Sequence, residues 1–256
     1  MQHNAVYTVL FAGAVCVVCA VLVSTSAVSL KDRQELNALL DKQKNVLYAA
    51  GLAQSSESLT PEDVISRFEN IQTVVVDLAS GEVTDIDPAT FDQADAAADP
   101  ATSHEAPINR SAIKRIPNHA LIYQVTENGE VTMCVIPIRG YGLWSTLYGF
   151  LAIGRDGNTI KGLAYYQHLE TPGLGGEVDN PKWRALWPGR MAYDDAGNPA
   201  LRVIKGNAGS PADAPHQVDG LTGATITSNG VSMMLEFWLG EAGFKKYLQK
   251  FREGQA

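Results

Sequence analysis

The longest uninterrupted apolar stretch of the chain lies near its N-terminus. Residues 5–30 contain no charged side chain, and about 20 apolar residues are enough to cross the hydrocarbon core of a bilayer. A cleaved signal peptide is the alternative, but residues 1–4 contain no Lys or Arg, and the stretch is longer than the apolar region of a signal peptide. Residues 1–30 are therefore interpreted as a retained transmembrane anchor.

Helical patterns follow the anchor over residues 31–70. Leucines recur there at roughly helical spacing, at Leu36, Leu39, Leu40 and Leu47. Gly51 suits the end of that helix. A second, shorter helix is predicted after Thr60, because Thr60 is a good N-cap residue and Pro61 suits the first helical position. We interpret residues 31–70 as a helical connection to a soluble domain at residues 71–256.

Two hairpins are predicted inside this domain. Their strands are rich in β-branched and aromatic residues, and their turns fall at Asn128-Gly129 and Asp156-Gly157. Such dipeptides between two apolar runs favour tight turns that join antiparallel strands.

Three further segments complete the first part of the domain. Residues 71–83 and residues 200–206 are each predicted to form a strand. Residues 84–106 are acidic, rich in alanine and without apolar periodicity, which indicates a variable surface loop or short helix. A functional acidic tail is the alternative for that segment.

Helical patterns return toward the C-terminus. A short helix is predicted over residues 180–189, with Asn180 as its cap and Pro181 first. The last helical stretch is predicted to start near Val231, with the N-cap provided by Thr227, Ser228 or Asn229. The predicted class is α+β, an antiparallel sheet with flanking helices, preceded by one N-terminal transmembrane helix.

Charge and cysteine content narrow the functional classes. The 256 residues carry a formal net charge of −8, which argues against nucleic-acid binding because a phosphate backbone needs a basic surface. Cys16 and Cys19 lie three residues apart in the apolar run and would share a helix face. They are interpreted either as small residues packing in the membrane or as metal or redox ligands that need a partner protein. Cys134 stands alone in the rest of the chain.

The candidate chemistry lies in residues 218–230, VDGLTGATITSNG, which combine hydroxyls with glycines before a helix. The start of a helix offers free backbone N–H groups and a positive dipole end, and both attract a phosphate. A threonine hydroxyl is too weak an acid to attack without a base, so a covalent bond there would need another enzyme. Helix capping and turn formation are the structural alternative.

Two motifs in these regions resemble a known family. The segment DGLTGAT, Asp219–Thr225, resembles the flavinylation signature of bacterial FMN-binding domains, and HLETPGLGGE, His168–Glu177, resembles their Glu-Thr-Pro-Gly-Leu-Gly loop. The resemblance implies covalent FMN as a phosphoester of Thr225, attached by a flavin transferase that uses FAD. The transferase would recognise the preceding residues, Asp219, Thr222, Gly223 and Ala224.

The resemblance also implies contacts to the cofactor. The residues implied to approach the ring or the phosphate are Thr171, Gly173, Leu174, Gly175 and Gly176. Lys205 is a candidate countercharge for the phosphate, with a surface lysine as the alternative. Leu143 and Trp144 are expected to pack on the flavin, with core packing of Trp144 as the alternative. Glu170 is expected to be a hydrogen-bonding group, and Thr227 is also placed in the cofactor site. No catalytic residue is assigned.

Longer blocks, among them GYGLWSTLYGFLAI and NPKWRALW, are similar to the family of C subunits of sodium-translocating NADH:quinone reductases. This implies an electron carrier in a multi-subunit membrane complex that passes electrons from NADH to ubiquinone and moves sodium. The chain has no G-x-G-x-x-G after a strand, so no direct NADH binding is expected.

The resemblance places the anchor in a bacterial inner membrane with the soluble domain in the periplasm. A literal count of charges gives the opposite orientation, because Lys31 and Arg33 follow the anchor. The family's orientation is preferred, because partner subunits fix the topology within a complex. The alternatives are the corresponding flavin-carrying protein of Rnf electron-transport complexes and an anchored structural or adhesive domain without a redox role.

Overall fold

The computed structural model describes residues 5–54 and 57–255. Contacts divide the chain into two compact units, one up to Lys42 and one from Gln43 onward. The first helix, α1 (Ala5–Ala50), is continuous, so the predicted anchor and the predicted connecting helix form one element. Within the described residues it is the helix that is long and apolar enough to cross a membrane, and its apolar stretch is exposed. Gly51 follows its end at φ 73°, as the sequence indicates.

The described residues contain five further helices. They are α2 (Pro61–Phe68), α3 (Gln93–Ala98), α4 (Pro181–Arg184), α5 (Thr225–Trp238) and α6 (Lys245–Glu253). The predicted cap of α2 is confirmed, since the Thr60 hydroxyl accepts from the Asp63 N–H while the Asp63 carboxylate accepts from the Thr60 N–H. Asn180 caps α4 by accepting from the Lys182 N–H at 2.9 Å.

Ten strands are present in the described residues. They are β1 (Ile71–Asp77), β2 (Glu82–Val83), β3 (Ser103–Glu105), β4 (Arg115–Pro117), β5 (His119–Glu127), β6 (Glu130–Tyr141), β7 (Thr146–Gly154), β8 (Ile160–Gln167), β9 (Arg202–Val203) and β10 (Gln217–Val218). Six of them form one sheet in the order β2-β1-β5-β6-β7-β8. Every neighbouring pair in this sheet is antiparallel, which confirms the predicted α+β class.

Both predicted hairpins form. Asn128 and Gly129 have φ of 53° and 84°, the left-handed backbone of the tight turn that matches strand twist, and this turn joins β5 to β6. The turn between β7 and β8 is fixed by Asp156, whose Oδ1 accepts from the N–H groups of Asn158 and Thr159.

Two strand predictions need correction. Residues 71–83 do not form one strand, because the chain turns after β1 and returns as β2. The turn is closed by the Gly81 N–H, which donates to the Asp77 carbonyl at 2.7 Å. The strand predicted over residues 200–206 is limited to β9, which pairs in parallel with β10 outside the main sheet.

The acidic segment 84–106 contains the predicted short helix, α3, which Asp92 caps by accepting from the Ala94 and Asp95 N–H groups. The segment is also docked onto the domain, because β3 pairs with β4. The Gln93 side chain adds a further tie by accepting from the Leu121 N–H of β5 at 2.8 Å.

Both faces of the main sheet are covered. On one face, α5 and α6 contribute the fully buried Trp238, Tyr247 and Phe251 to the main core. The other face carries Phe150, and the C-terminal end of α1 approaches the sheet where the Ala49 carbonyl lies against Gly162 of β8. A Cβ on Gly162 would overlap that carbonyl, so the close approach requires glycine.

Candidate functional site

The start of α5 is fixed by a tight turn rather than by a hydroxyl cap. The Ala224 N–H donates to the Leu221 carbonyl at 3.1 Å, and Gly223 has φ 76°, as the third residue of a type II turn requires. Ala224 is the N-cap residue and Thr225 the first helical residue, and no side chain caps the helix. The predicted start near Val231 is therefore wrong by six residues, a difference taken between Val231 and Thr225.

The residues predicted as N-caps have other partners. Thr227 and Ser228 are buried inside the first turns of α5. The Thr227 hydroxyl donates to Oε2 of Glu170 at 2.6 Å, and Oγ of Ser228 accepts from the Leu221 N–H at 3.1 Å. Asn229 is exposed on the helix. The hydroxyls therefore fasten the helix start to its surroundings instead of capping it.

Residues 168–177, the glycine loop, contain a second tight turn. The Leu174 and Gly176 N–H groups donate to the Thr171 carbonyl at 3.1 and 2.9 Å, and Gly173 has φ 76°. A 3₁₀ turn over Gly175–Asp179 follows directly. Thr171, Gly173 and Leu174 are exposed, whereas Gly175 is buried.

Glu170 is the buried centre of the site. Its Oε1 accepts from the N–H groups of Leu143 and Trp144, both at 3.0 Å, and its Oε2 accepts from Thr227. Burial would raise the pKa of this carboxyl, but the hydrogen bonds from Thr227 and from the two backbone N–H groups outweigh it and hold the pKa below its usual value. Glu170 is therefore an ionised acceptor that joins three segments, and its predicted hydrogen-bonding role has a structural basis.

The glycine loop touches residues 219–225, the threonine loop. A Cβ added to Gly223 would lie 2.9 Å from Cδ2 of Leu174. A Cβ added to Gly175 would lie 2.5 Å from Oε2 of Glu170 and 2.6 Å from Oγ1 of Thr227. The two motifs that are about 50 residues apart in sequence thus meet directly in the fold. Gly175 is needed because its neighbours there are buried, and Gly223 is favoured by its positive φ.

Large apolar side chains are exposed around this meeting point. Their exposed fractions range from 39% for Leu143 to 77% for Leu169, and the set is Leu143, Trp144, Leu169, Leu174 and Ile226. Each of these residues belongs either to the glycine loop, which contains Glu170, or to one of the two other segments that Glu170 binds. Exposed apolar groups concentrated at one place indicate a binding surface, and they give a flat aromatic ligand a surface to pack on.

The remaining residues of the threonine loop have structural partners. The Asp219 carboxylate accepts from the Ala208 N–H at 2.8 Å, and its carbonyl accepts from Nε1 of Trp183, also at 2.8 Å. Gly220 lies against the Ile204 carbonyl, so the segment that carries Lys205 borders the loop. Lys205 and Thr222 are both exposed.

Thr225 is exposed at the positive end of the α5 dipole, and its side chain forms no hydrogen bond within residues 5–54 and 57–255. The histidine that precedes β10, His216, is engaged elsewhere, because its Nδ1 donates to the Met191 carbonyl at 3.0 Å. The described residues therefore present the Thr225 hydroxyl without a general base to activate it.

The sequence did not single out the hydrogen-bonded pair His168–Asp179 beside the glycine loop. Nε2 of His168 lies 2.7 Å from Oδ2 of Asp179, and in the neutral ring Nδ1 accepts from the Glu170 N–H at 3.2 Å. The hydrogen bond to Asp179 raises the pKa of His168 despite partial burial. The sequence signal for this pair was the histidine that opens the glycine loop, His168, followed by an acid at the end of the 3₁₀ turn, Asp179.

Cys16 and Cys19 both lie exposed on α1. In the part of the chain that the structure describes, no cluster of three His, Cys, Asp or Glu side chains is placed to hold a metal ion. Within that part of the chain, Cys16 and Cys19 therefore have no third ligand of these types.

Comparison with known proteins identifies the family. A family model described as an FMN-binding domain matches residues 142–240, which include both loops. The C subunit of the Na(+)-translocating NADH-quinone reductase of Pseudomonas aeruginosa is 47% identical over 100% of this chain and 99% of its own length. The protein of the same name from Yersinia pestis is 47% identical over 96% of this chain and 93% of its own.

Solved structures agree with the sequence comparison. The crystal structure of Shewanella oneidensis NqrC has a TM-score of 0.76 and 35% identity, and the match covers 86% of this chain and 99% of that chain. The crystal structure of the reductase's C subunit from Parabacteroides distasonis, at 23% identity and a TM-score of 0.65, shares the fold over 86% of this chain and 96% of that chain. The chain belongs to the family of Na(+)-translocating NADH-quinone reductase C subunits.

Proposed function

We propose that this chain carries one FMN, covalently attached as a phosphoester of Thr225, and serves as a flavin electron carrier in a sodium-translocating NADH:quinone reductase. One observation supports the proposal above all others. The two flavin-type motifs meet at the start of α5, where the Thr225 hydroxyl is exposed and uncapped. Family membership and the FMN-binding domain match over residues 142–240 point the same way.

The residues fit FMN in charge and in shape. The first turn of α5 has no side-chain cap, so its free N–H groups are available to a phosphate, and exposed Lys205 borders the same loop. Gly223 leaves room beside Leu174, and the exposed Leu143 and Trp144 offer an apolar surface for the ring. When bound, FMN supplies one- and two-electron redox chemistry, while the protein positions it and sets its electrostatic surroundings.

Attachment is assigned to a separate flavin transferase. In that reaction the Thr225 hydroxyl oxygen forms a bond to the flavin-side phosphorus of FAD, the bond from that phosphorus to the bridging oxygen breaks, and AMP leaves with that oxygen. The hydroxyl proton passes to a base of the transferase, since the described residues place none at Thr225. Asp219, Thr222, Gly223 and Ala224 form the sequence that the transferase would recognise.

Orientation and partners complete the proposal. The long apolar part of α1 anchors the chain in the bacterial inner membrane, with the domain on the periplasmic side, where other subunits of the reductase give and receive electrons. Lys31 and Arg33 alone favour the opposite side. Large domains translocate despite a few such charges, so partner subunits are assigned the deciding role. The curated relatives support this assembly over an Rnf complex, since their names specify the sodium-translocating reductase.

Co-expression with a flavin transferase tests the attachment. We expect the wild-type band to fluoresce in a denaturing gel and the Thr225→Val band to be dark, whereas Thr225→Ser retains fluorescence because the hydroxyl survives. Thr90→Val, at an exposed threonine outside both loops, is expected to keep the flavin. A fluorescent Thr225→Val band would overturn the assignment. A dark wild-type band would instead favour the anchored domain without a redox role.

A further inference from the structure

A cavity of about 250 Å³ lies beside the segment that carries Leu143 and Trp144, outside the two flavin-type loops. Its walls are α3, the loop 111–115 and the adjoining ends of β6 and β7. Three cationic residues line it, namely Lys114, Arg115 and Arg139.

None of these three cations has a carboxylate partner within residues 5–54 and 57–255, where the ion pairs all involve other residues. Arg115 donates from Nε and Nη2 to Ser103, and Arg139 donates from Nη2 to the Arg115 carbonyl at 3.0 Å. A guanidinium has five N–H donors, so both arginines retain donors for a ligand. Three unpaired cations around one cavity stand out in a chain of net charge −8.

The loop on the cavity wall is held in an unusual conformation. Ala112 has φ 57°, in the left-handed region that alanine rarely adopts. Oδ1 of Asn109 accepts from the Ser111 and Ile113 N–H groups at 3.0 and 3.1 Å, which locks the loop around Ala112. Strain maintained by its surroundings is typical of binding sites.

Hydroxyl groups complete the lining. Ser111 is 1% exposed, and its Oγ has no hydrogen-bond partner among the described residues. This oxygen has almost no accessible surface, so Ser111 shapes the wall of the cavity and is not counted as a donor to a bound ion. In the sheet, Tyr141 of β6 pairs with Thr146 of β7, and two residues further along Arg139 pairs with Tyr148. Because side chains alternate between faces along a strand, these four lie on the same face, which borders the cavity.

We propose that this cavity binds a compact oxyanion of the phosphate type. The planar guanidinium groups of the arginines match the oxygens of such an ion, and Lys114 and the hydroxyls of Thr146 and Tyr148 supply further donors. The volume is below the range of about 300–1,000 Å³ that is usual for sites of drug-sized ligands, which favours a small ion. The site is independent of the flavin, although Tyr141 connects the two regions through its hydroxyl, which donates to the Trp144 carbonyl at 3.4 Å.

Calorimetric titration of the full chain in detergent with inorganic phosphate, at constant ionic strength maintained with NaCl, tests the proposal. We expect one saturable site, and Arg139→Gln weakens it about tenfold or more, the change expected from losing one charge-assisted hydrogen bond. Lys114 is exposed and its side chain has no protein partner among the described residues, so Lys114→Gln keeps the fold and weakens phosphate binding severalfold.

Matched control variants distinguish phosphate binding at this cavity from nonspecific attraction to positive charge on the surface. Arg202 and Lys182 are exposed and lie outside the cavity, so Arg202→Gln and Lys182→Gln are expected to leave the phosphate affinity unchanged. Equal weakening by these controls would overturn the proposal, as would the lack of saturable phosphate binding to the wild type. Unchanged affinity in Lys114→Gln would also contradict it, and this outcome stays decisive if Arg139→Gln fails to fold.

Discussion

The Thr227 hydroxyl donates a 2.6 Å hydrogen bond to the Glu170 carboxylate, and this bond joins two segments that lie 57 residues apart. Glu170 belongs to the glycine loop and Thr227 to the first turn of α5. The same carboxylate holds the backbone of Leu143 and Trp144. One buried residue therefore sets the relative positions of three segments that are proposed to surround the flavin: the glycine loop, the Leu143–Trp144 segment and the start of α5.

A double-mutant cycle measures this link. Thr227→Val leaves Oε2 of Glu170 without its donor inside a buried site, so the free energy of unfolding is expected to fall by about 1–3 kcal/mol. Glu170→Gln weakens the same bond from the other side. Because both changes remove one interaction, their combined cost is expected to be smaller than the sum by about 1 kcal/mol or more. Urea unfolding of the full chain in detergent provides the numbers.

Thr227→Ser is the matched control for the cycle, since it keeps the hydroxyl and is expected to retain most of the coupling. Strict additivity of Thr227→Val and Glu170→Gln would show that the two side chains do not depend on each other. In that case Glu170 would hold the Leu143–Trp144 segment without α5.

Acid stability provides a separate test of Glu170. Its pKa is lowered in the folded chain, so its ionised form stabilises the fold above the unfolded value of about 4.3. That contribution is lost as the pH falls through the folded pKa. Between about pH 5 and pH 3, the wild-type unfolding free energy is therefore expected to fall more steeply than that of Glu170→Gln. Parallel pH profiles for the two proteins would contradict the lowered pKa.

The pair His168–Asp179 predicts the opposite dependence on pH. The pKa of His168 is raised by Asp179, so the contribution of the pair to stability is fully present below the unfolded value of about 6.5 and is lost as the pH rises through the folded pKa. As the pH rises from about 6 to about 8.5, the melting temperature of the wild type is expected to decrease more than that of Asp179→Asn. An identical loss in both proteins would mean that His168 titrates normally in the folded chain.

The sequence predicted the elements whose signals are local. Asn128-Gly129 specifies its turn through backbone conformation alone, and Thr60 specifies a helix start through one hydroxyl. The start of α5 was missed because Thr227 and Ser228 look like capping residues, yet their hydroxyls bond to Glu170 and Leu221. Those partners are defined by tertiary contact, which a local pattern does not contain.

Part of the candidate site could likewise be predicted from local motifs, and part could not. Thr225, the glycine loop and Glu170 could be named because the motifs carry them. The exposure of Leu169 and Ile226 depends on which segments meet around Glu170, and the cationic cavity at Arg139 depends on how the loop 111–115 lies against β6 and β7. Neither feature follows from residue order, because both arise from strands and loops that are distant along the chain.

Substitution of Trp144 tests whether the exposed apolar side chains pack against the flavin ring. Its side chain is 63% exposed, so Trp144→Ala is expected to change the unfolding free energy of the flavin-free chain by no more than about 0.5 kcal/mol. In the flavinylated chain the same change removes a ring that is proposed to pack on the flavin, so flavin fluorescence of the native protein is expected to rise. Ile65→Ala on α2, at 53% exposure, is the control and is expected to leave the fluorescence unchanged. Unaltered fluorescence in Trp144→Ala would place the flavin away from this side chain.

The most direct test of the central claim is the mass of the tryptic peptide spanning residues 206–245, which contains Thr222, Thr225 and Thr227, taken from the chain in its native membrane. We predict that this peptide carries the mass of one FMN less one water, with fragmentation placing the added mass on Thr225. An unmodified peptide, or an added mass on Thr222 or Thr227, would contradict the account.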